Sequence, residues 1–505
     1  MNKMAILGLG TMAALLGARM AQAAGSAITA ISIVGRQDLG TFGGVPYVRS
    51  WGTVSGVIAP DEKVVGLAAL PKDADGNYDY TAPFEVIAPA HVGANSTVLV
   101  EAENRGRPLM LDFLDHVDVA VEPAKASYPQ GLGNGFLEDA GISYARVAWQ
   151  TKLSPDVPTK AEGVGEVIMR DFGRLLGGES ALRGPSPFGS YRTRLLGGIS
   201  QSAWFINTFI AEGFNADPVT HGPVFQGVLA IDGTGNWLAL NQLAAQAHAQ
   251  QAPYFAPGAM PLKAAQLLSH PNSDPFYIDV ANYTDFYRVH ASLTDTTDLP
   301  ERMRRYDWPS PHALVLNQAS YNAAFAATRP GGPCNEGVKV PLNPVSYTPF
   351  LRTLVVELAH EVGSRDAANA PALPPTTLFR LGPAPSDTAH FNPLPGAVLQ
   401  VPLTGAEAQP MGGVRFPAAV APLGRPTPVS LPPVITSTIT GTCGNYGQWQ
   451  KLSGAEIRRH YGTEANFLND YEAASDRLVS AGYLLGSQRG PMLTAAASAY
   501  EQATR

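Results

Sequence analysis

The chain has 505 residues, enough for two or three average domains or for one large decorated domain. It is 45% hydrophobic and only 15% charged, with 43 prolines and 51 glycines, a globular composition that leaves room for many structured connections. A formal net charge of −7, with no basic run beyond Arg302-Met303-Arg304-Arg305, excludes nucleic acid as a partner.

Lys3, the apolar run Met4 to Leu16 and Ala21-Gln22-Ala23 follow the order of a charged n-region, an apolar h-region and an A-x-A cleavage site. Residues 1–23 are therefore expected to be a signal peptide that exports the mature chain to the periplasm or the exterior. The apolar run is too short for a bilayer span, and no later stretch approaches 18 uninterrupted apolar residues, so no membrane span is expected. From Ile28 to Pro89, short β-type runs alternate with turn signals such as Gly43-Gly44 and Asp75-Gly76-Asn77. Ser96 to Glu103 reads as a strand, broken by Asn104-Arg105-Gly106. Gly135 to Gly141 is a helix end running into glycine, Ile142 to Trp149 a strand, and Glu162 to Leu176 a helix.

The apolar run Arg194-Leu195-Leu196 leads into Gly198-Ile199-Ser200-Gln201-Ser202, and Ala203 to Gly213 has helical patterning. Strand, tight turn and helix with a serine at the apex is the context of a nucleophile elbow, where bulky side chains two positions either side would clash. Gly198 and Ser202 are both small, although the serine departs from the commoner glycine at the last position. Such a turn exposes the Ser200 hydroxyl and aims helix N–H groups at a developing oxyanion, an arrangement suited to acyl transfer.

Val224 to Ile231 and Phe276 to Asn282 read as buried strands, and strands separated by helices predict an α/β fold with a mostly parallel sheet. Gly235 to Pro271, rich in Ala, Gln and Leu, is expected to be a helical cap inserted between two of those strands. Serine is a weak nucleophile without a base and an acid to orient that base. His312, in the proline-broken segment Tyr306 to His312, lies beyond every sheet strand and is the candidate base. His390, in another loop-like segment, and His460, in a helical one, are the alternatives. For the acid, Asp285 falls just past the strand ending at Asn282, and Asp232 follows the preceding strand as the second choice. Any single aspartate could equally serve as a cap or in loop solvation.

Cys334 and Cys443 are expected to pair in an oxidising compartment, and neither has metal-ligand spacing. Asp387 to Thr442 is a Pro-rich excursion. Gly454 to Leu485 is helical and followed by a short tail of small and polar residues. No internal repeat is found.

The order Ser…Asp…His after an elbow is that of the α/β-hydrolase fold. The chain resembles a large family of α/β-hydrolase domain proteins, many of them secreted by bacteria. The resemblance is carried by Glu103-Asn104-Arg105-Gly106, Gly133 to Leu137, Ala148-Trp149-Gln150, the elbow, Tyr283 to Arg288, Ala291-Ser292-Leu293, Tyr306-Asp307 with His312, Cys334-Asn335, Asn343-Pro344 with Tyr347, and Leu452 to Leu485. It implies a single catalytic domain over residues 24–505, with Ser200 as nucleophile, Asp285 as acid and His312 as base. Two positions depart from the family pattern: members often carry Glu where Asp285 stands, and Gly-Thr where this chain has Ser310-Pro311. Such a triad hydrolyses carboxylic esters through an acyl-enzyme. The oxyanion would be held by the Gln201 N–H and by an N–H from the loop at Asn104-Arg105. Phe136, Trp149, Trp204, Phe286, Tyr287 and Trp308 lie near these motifs, as an apolar acyl pocket or as sheet-packing core. No cofactor or metal is expected, and the partner is a small or polymeric ester. An amidase, an acyltransferase or a polyester depolymerase on the same triad, or a hydrolase-fold binding protein without turnover, are the other readings.

Overall fold

The computed structural model describes residues 25–93, 96–115, 133–154, 161, 163–241, 243, 260–294, 297–314, 342–363, 373–385, 396–428 and 445–505. The signal-peptide expectation, Cys334, Cys443, His390 and the middle of the expected cap (242 and 244–259) lie outside them.

Three strands open the sheet: β1 (Ala27–Phe42), β2 (Val45–Ile58) and β3 (Tyr78–Pro89), paired antiparallel. They are long strands, where short runs had been expected. Gly43 and Gly44, at φ 54° and 85°, form the left-handed hairpin turn between the first two. Six parallel strands follow: β4 (Thr97–Ala102), β5 (Ile142–Val147), β6 (Thr193–Ile199), β7 (Gly227–Ile231), β8 (Phe276–Asn282) and β9 (Met303–Trp308). The sheet order is β1-β2-β3-β5-β4-β6-β7-β8-β9, joined antiparallel between β3 and β5. The helices are α1 (Leu109–Leu114), α2 (Phe136–Asp139), α3 (Val164–Gly177), α4 (Gln201–Ala211), α5 (Ala264–Leu267), α6 (Asp285–Arg288), α7 (Thr348–Gly363), α8 (Pro417–Val420), α9 (Gly454–Tyr461), α10 (Glu464–Ser480) and α11 (Gly486–Thr504). Two small antiparallel pairs, β10 (Leu381–Pro383) with β11 (Gln400–Pro402) and β12 (Gly424–Thr427) with β13 (Gln448–Lys451), lie apart from the main sheet.

Successive strand side chains point to opposite faces, so each parallel strand feeds two cores. Val98, Val100 and Ala102 of β4 join Leu196, Val228, Ala230 and Tyr277 against α3 and α4. Leu99, Leu195, Leu229, Ile231, Ile278 and Val280 face the other way, against α1, α7 and the C-terminal helices. This is why β6, β7 and β8 read as continuous apolar runs.

Two expectations change. Gly235 begins a segment in which Trp237, Leu238 and Leu240 are buried in the core beside α4, tied by Asn207 Nδ2 to the Asn236 carbonyl (2.6 Å) and by the Leu238 N–H to Thr208 Oγ1 (2.9 Å). The start of the expected cap is therefore interior. The small and polar residues after Leu485 are not a tail but the 19-residue helix α11, which buries Met492, Ala496 and Tyr500. Tyr500 stacks on Phe467 with centroids 5.1 Å apart.

Candidate active site

Ser200 sits between β6 and α4 with φ 62° and ψ −122°, a left-handed conformation costly for a non-glycine residue. Its N–H donates to the Ile231 carbonyl (2.9 Å), which pins the turn to the end of β7. A Cβ on Gly198 would lie 2.9 Å from the Ser202 carbonyl carbon and from Ile206 Cδ1, so the strand tolerates no side chain there. Ser202, which replaces the commoner glycine, is fully buried; its Oγ accepts from the Ile199 N–H (3.0 Å) and donates to the Ile199 carbonyl (2.9 Å). The hydroxyl is thus consumed in closing the elbow.

His312 lies four residues beyond β9, held by its N–H to Thr284 Oγ1 (2.8 Å). Its Nε2 is 2.8 Å from Ser200 Oγ and its Nδ1 is 2.6 Å from Asp285 Oδ1. With the ring proton on Nδ1, the ring donates to Asp285 and accepts from the serine hydroxyl. Asp285 begins α6, and its Oδ2 accepts the Asn282 N–H at 2.8 Å. Burial alone would raise this carboxyl; the opposing charge and hydrogen bond of His312 outweigh it and hold Asp285 below the usual carboxylate range.

Asp232, the second-choice acid, is also at the site. It follows β7 at φ 58°, fully buried, with Oδ2 3.5 Å from His312 Nδ1 and Oδ1 accepting from Asn282 Nδ2 at 2.6 Å. Burial, and then the neighbouring Asp285 charge, push it well above the usual range. His460 lies far along the chain in α9, paired with Glu407 at 2.8 Å.

Three contributors have no role assigned from the sequence, where Ser310 stands only as a departure from the family pattern. Arg288, at the end of α6, places Nη1 3.3 Å from Nδ1 and 3.2 Å from Nε2 of His312, while its guanidinium lies over the Trp204 ring at 5.9 Å. Both ring nitrogens already have in-plane partners, so a group nearly equidistant from them approaches the face of the imidazole. Burial first, then this cation, lower the His312 pKa against the pull of Asp285. Asn282 bridges the two acids, and Ser310 Oγ donates to Asn282 Oδ1 at 2.5 Å, which gives the unusual Ser310-Pro311 a partner.

On the oxyanion side, Gln201 is the first residue of α4, where backbone N–H groups have no intrahelical acceptor. The loop after β4 is fastened to the elbow strand by Asn104 Nδ2 donating to the Ile199 carbonyl (3.0 Å). The Asn104 N–H donates to the Arg107 carbonyl (2.9 Å), and Arg105 follows it at φ 53°. The aromatics near the motifs are mainly core: Trp149, Trp204, Phe286 and Trp308 are buried, and Trp149 stacks on Phe205 at 3.9 Å. A cavity of about 650 Å³ lies elsewhere, lined by Phe350, Phe416, Phe467 and Met492 among others and by none of Ser200, Asp285 or His312.

A family model described as "Alpha/beta hydrolase domain" matches residues 137–494. No curated protein matches the sequence. Among solved structures, the chain is similar to the glucuronoyl esterase from Solibacter usitatus at 10% identity and TM-score 0.28, over 50% of this chain and 67% of that one. It is similar to a CE15 glucuronoyl esterase from Teredinibacter turnerae T7901 at 13% identity and TM-score 0.27, over 51% and 64%. A third is the rice cell wall degrading esterase LipA from Xanthomonas oryzae, at 10% identity and TM-score 0.20, over 43% and 55%. The chain thus spans about two thirds or less of the length of these structures.

Proposed function

Because this chain belongs to the alpha/beta hydrolase domain family, we propose that it is an exported serine hydrolase that cleaves carboxylic esters, with residues 24–505 as one catalytic domain. The observation that carries the reading is the unbroken hydrogen-bond chain from Ser200 Oγ through His312 to Asp285, at 2.8 and 2.6 Å, with the serine at a strained strand-to-helix turn. His312 takes the Ser200 proton as Oγ attacks the ester carbonyl, and Asp285 stabilises the imidazolium. The tetrahedral oxyanion is met by the Gln201 N–H and by an N–H from the loop after β4 at Asn104-Arg105, each worth about 10²–10³ in rate. Collapse expels the alcohol, protonated by His312, and water repeats the attack on the acyl-enzyme. Export rests on the n-region, h-region and A-x-A order of residues 1–23. No described helix is long and apolar enough to cross a membrane.

The test is a fluorophosphonate probe, which phosphonylates an activated serine. Mass-spectrometric mapping is expected to find the label on Ser200, absent in S200A and strongly reduced in H312A. Folded wild-type protein that takes no label would sink the triad and leave a binding protein on a hydrolase fold.

A further inference from the structure

Asp232 is a second carboxylic acid packed against the first. One oxygen of Asp232, one of Asp285 and a ring nitrogen of His312 lie within 4.8 Å of one another, and all three residues are buried. Two carboxylates this close in the interior do not both ionise, because each charge lacks water and repels the other. The hydrogen bonds say which of them keeps the proton. Asp285 accepts the Asn282 N–H on Oδ2 and faces the ring N–H with Oδ1, so both oxygens act as acceptors. Asp232 accepts on Oδ1 from Asn282 Nδ2, while its Oδ2 is buried with no hydrogen-bond partner other than what its own proton could make. That oxygen is the one 3.5 Å from His312 Nδ1.

We infer that Asp232 is a positioning residue: its carboxyl is protonated on Oδ2, donates to the Asp285 carboxylate, and becomes the acceptor of the His312 Nδ1–H when Asp285 loses its charge. The inference rests on the triad reading above. It explains why an acid that was only a second choice in the sequence is built into the same pocket, at a left-handed backbone position (φ 58°) with both its own N–H and C=O engaged, by the Val280 carbonyl at 2.8 Å and by Trp204 Nε1 at 2.9 Å. A loop aspartate that merely met solvent would need none of this. The charged and titratable groups that face Asp232 are Asp285 and Arg288 from α6, His312 from beyond β9, and Tyr347 ahead of α7. Of these, Asp285 is the one close enough to share a proton with it.

The experiment compares second-order rates of fluorophosphonate labelling at Ser200 in the mature protein for wild type, D232A, D232N, D285N and D285N/D232N. D232A is expected to lose about tenfold or more, and D232N, whose amide still donates to Asp285 and accepts from Asn282, to recover most of it. D285N/D232N should approach the ~10⁴ loss typical of a triad without its acid, and D285N alone should stop about 10²-fold short of it because Asp232 takes over. The labelling rate of D285N should also rise with pH on a limb that the double variant lacks, since Asp232 must shed its proton to act. Equal rates for D285N and the double variant would overturn the inference, as would a D232N that is no better than D232A. If the double variant gives no cooperative thermal transition, the D285N profile decides: an extra rising limb supports the role and its absence removes it. A wild type that does not label is a different failure, and it falls on the triad itself.

Discussion

Arg288 sets a residue-scale puzzle, because a buried guanidinium on the face of His312 opposes the imidazolium that the proposed general-base step would create. The sign follows directly. A base works when neutral, so activity is lost as pH falls through its pKa; burial first and Arg288 second place that pKa below 6.5, and labelling should therefore persist below that pH. Arg288→Met removes the cation but leaves the burial. The acid limb of the labelling rate is expected to move to higher pH, and an unmoved limb would mean that the guanidinium does not bear on the base. Ser200, Asp285 and His312 were legible as candidates only: Ser200 and Asp285 follow strands that can be read from their apolar runs, whereas β9, with Arg304, Arg305 and Asp307, gives no such run and His312 is reached only as a loop histidine beyond the readable strands. Arg288, Asn282 and Ser310 were not. Their roles depend on which segments meet above the sheet, and a lone arginine, asparagine or serine at the end of an element or in a loop carries no pattern of its own.

At the scale of the element, the elbow rests on two different constraints, and they separate experimentally. Gly198→Ala puts a methyl 2.9 Å from the Ser202 backbone, which cannot move without moving α4, the helix that begins at Gln201. The expected cost is about 1–3 kcal/mol of stability from overpacking and roughly 10² in labelling rate from displacing Ser200. Ser202→Ala leaves the shape intact but strips the buried Ile199 N–H of its acceptor. It should also cost about 1–3 kcal/mol, with a much smaller loss of labelling. Denaturant titration paired with labelling checks both, and equal labelling losses would refute the distinction. The parallel strands were readable for the same reason that they are stable: residues buried on both faces give unbroken apolar runs. Helix α11 was missed for the opposite reason. Ala-rich sequence has high helix propensity but little amphipathic contrast, so its packing against Phe467 leaves almost no periodic trace.

Across the whole molecule, the matched domain begins at residue 137, yet the sheet it builds upon starts with three antiparallel strands and β4, all before that point. Besides strand pairing and a core shared with α3, to which Phe84 contributes against Phe172 and Phe188, a cluster of charges at the edge of the α3 layer ties these strands to the rest. Arg170 of α3 holds Glu62, from the loop after β2, by two bonds of 2.9 and 2.8 Å, and contacts Asp171 at 3.2 Å. Glu62 accepts from Ser26 Oγ (2.6 Å) ahead of β1, and Arg174 reaches both the Ser26 carbonyl (3.1 Å) and Asp217 beyond α4 (2.8 Å). The cluster is nearly dry, with the Arg170 and Glu62 side chains 6% and 14% exposed. Its worth lies less in attraction than in what its loss would strand, since removing one partner leaves the other charge buried. Arg170→Met is therefore expected to cost about 3–5 kcal/mol, and Arg170→Met combined with Glu62→Gln should recover part of it by deleting the stranded carboxylate. Because, among the described residues, no hydrogen bond or ion pair of Arg170, Glu62, Asp171, Arg174 or Asp217 reaches Ser200, Asp285 or His312, the labelling rate of the variants that remain folded should be close to wild type. A full loss of labelling in cooperatively folded Arg170→Met would show that the antiparallel strands help to shape the site, and are not only a brace for the sheet.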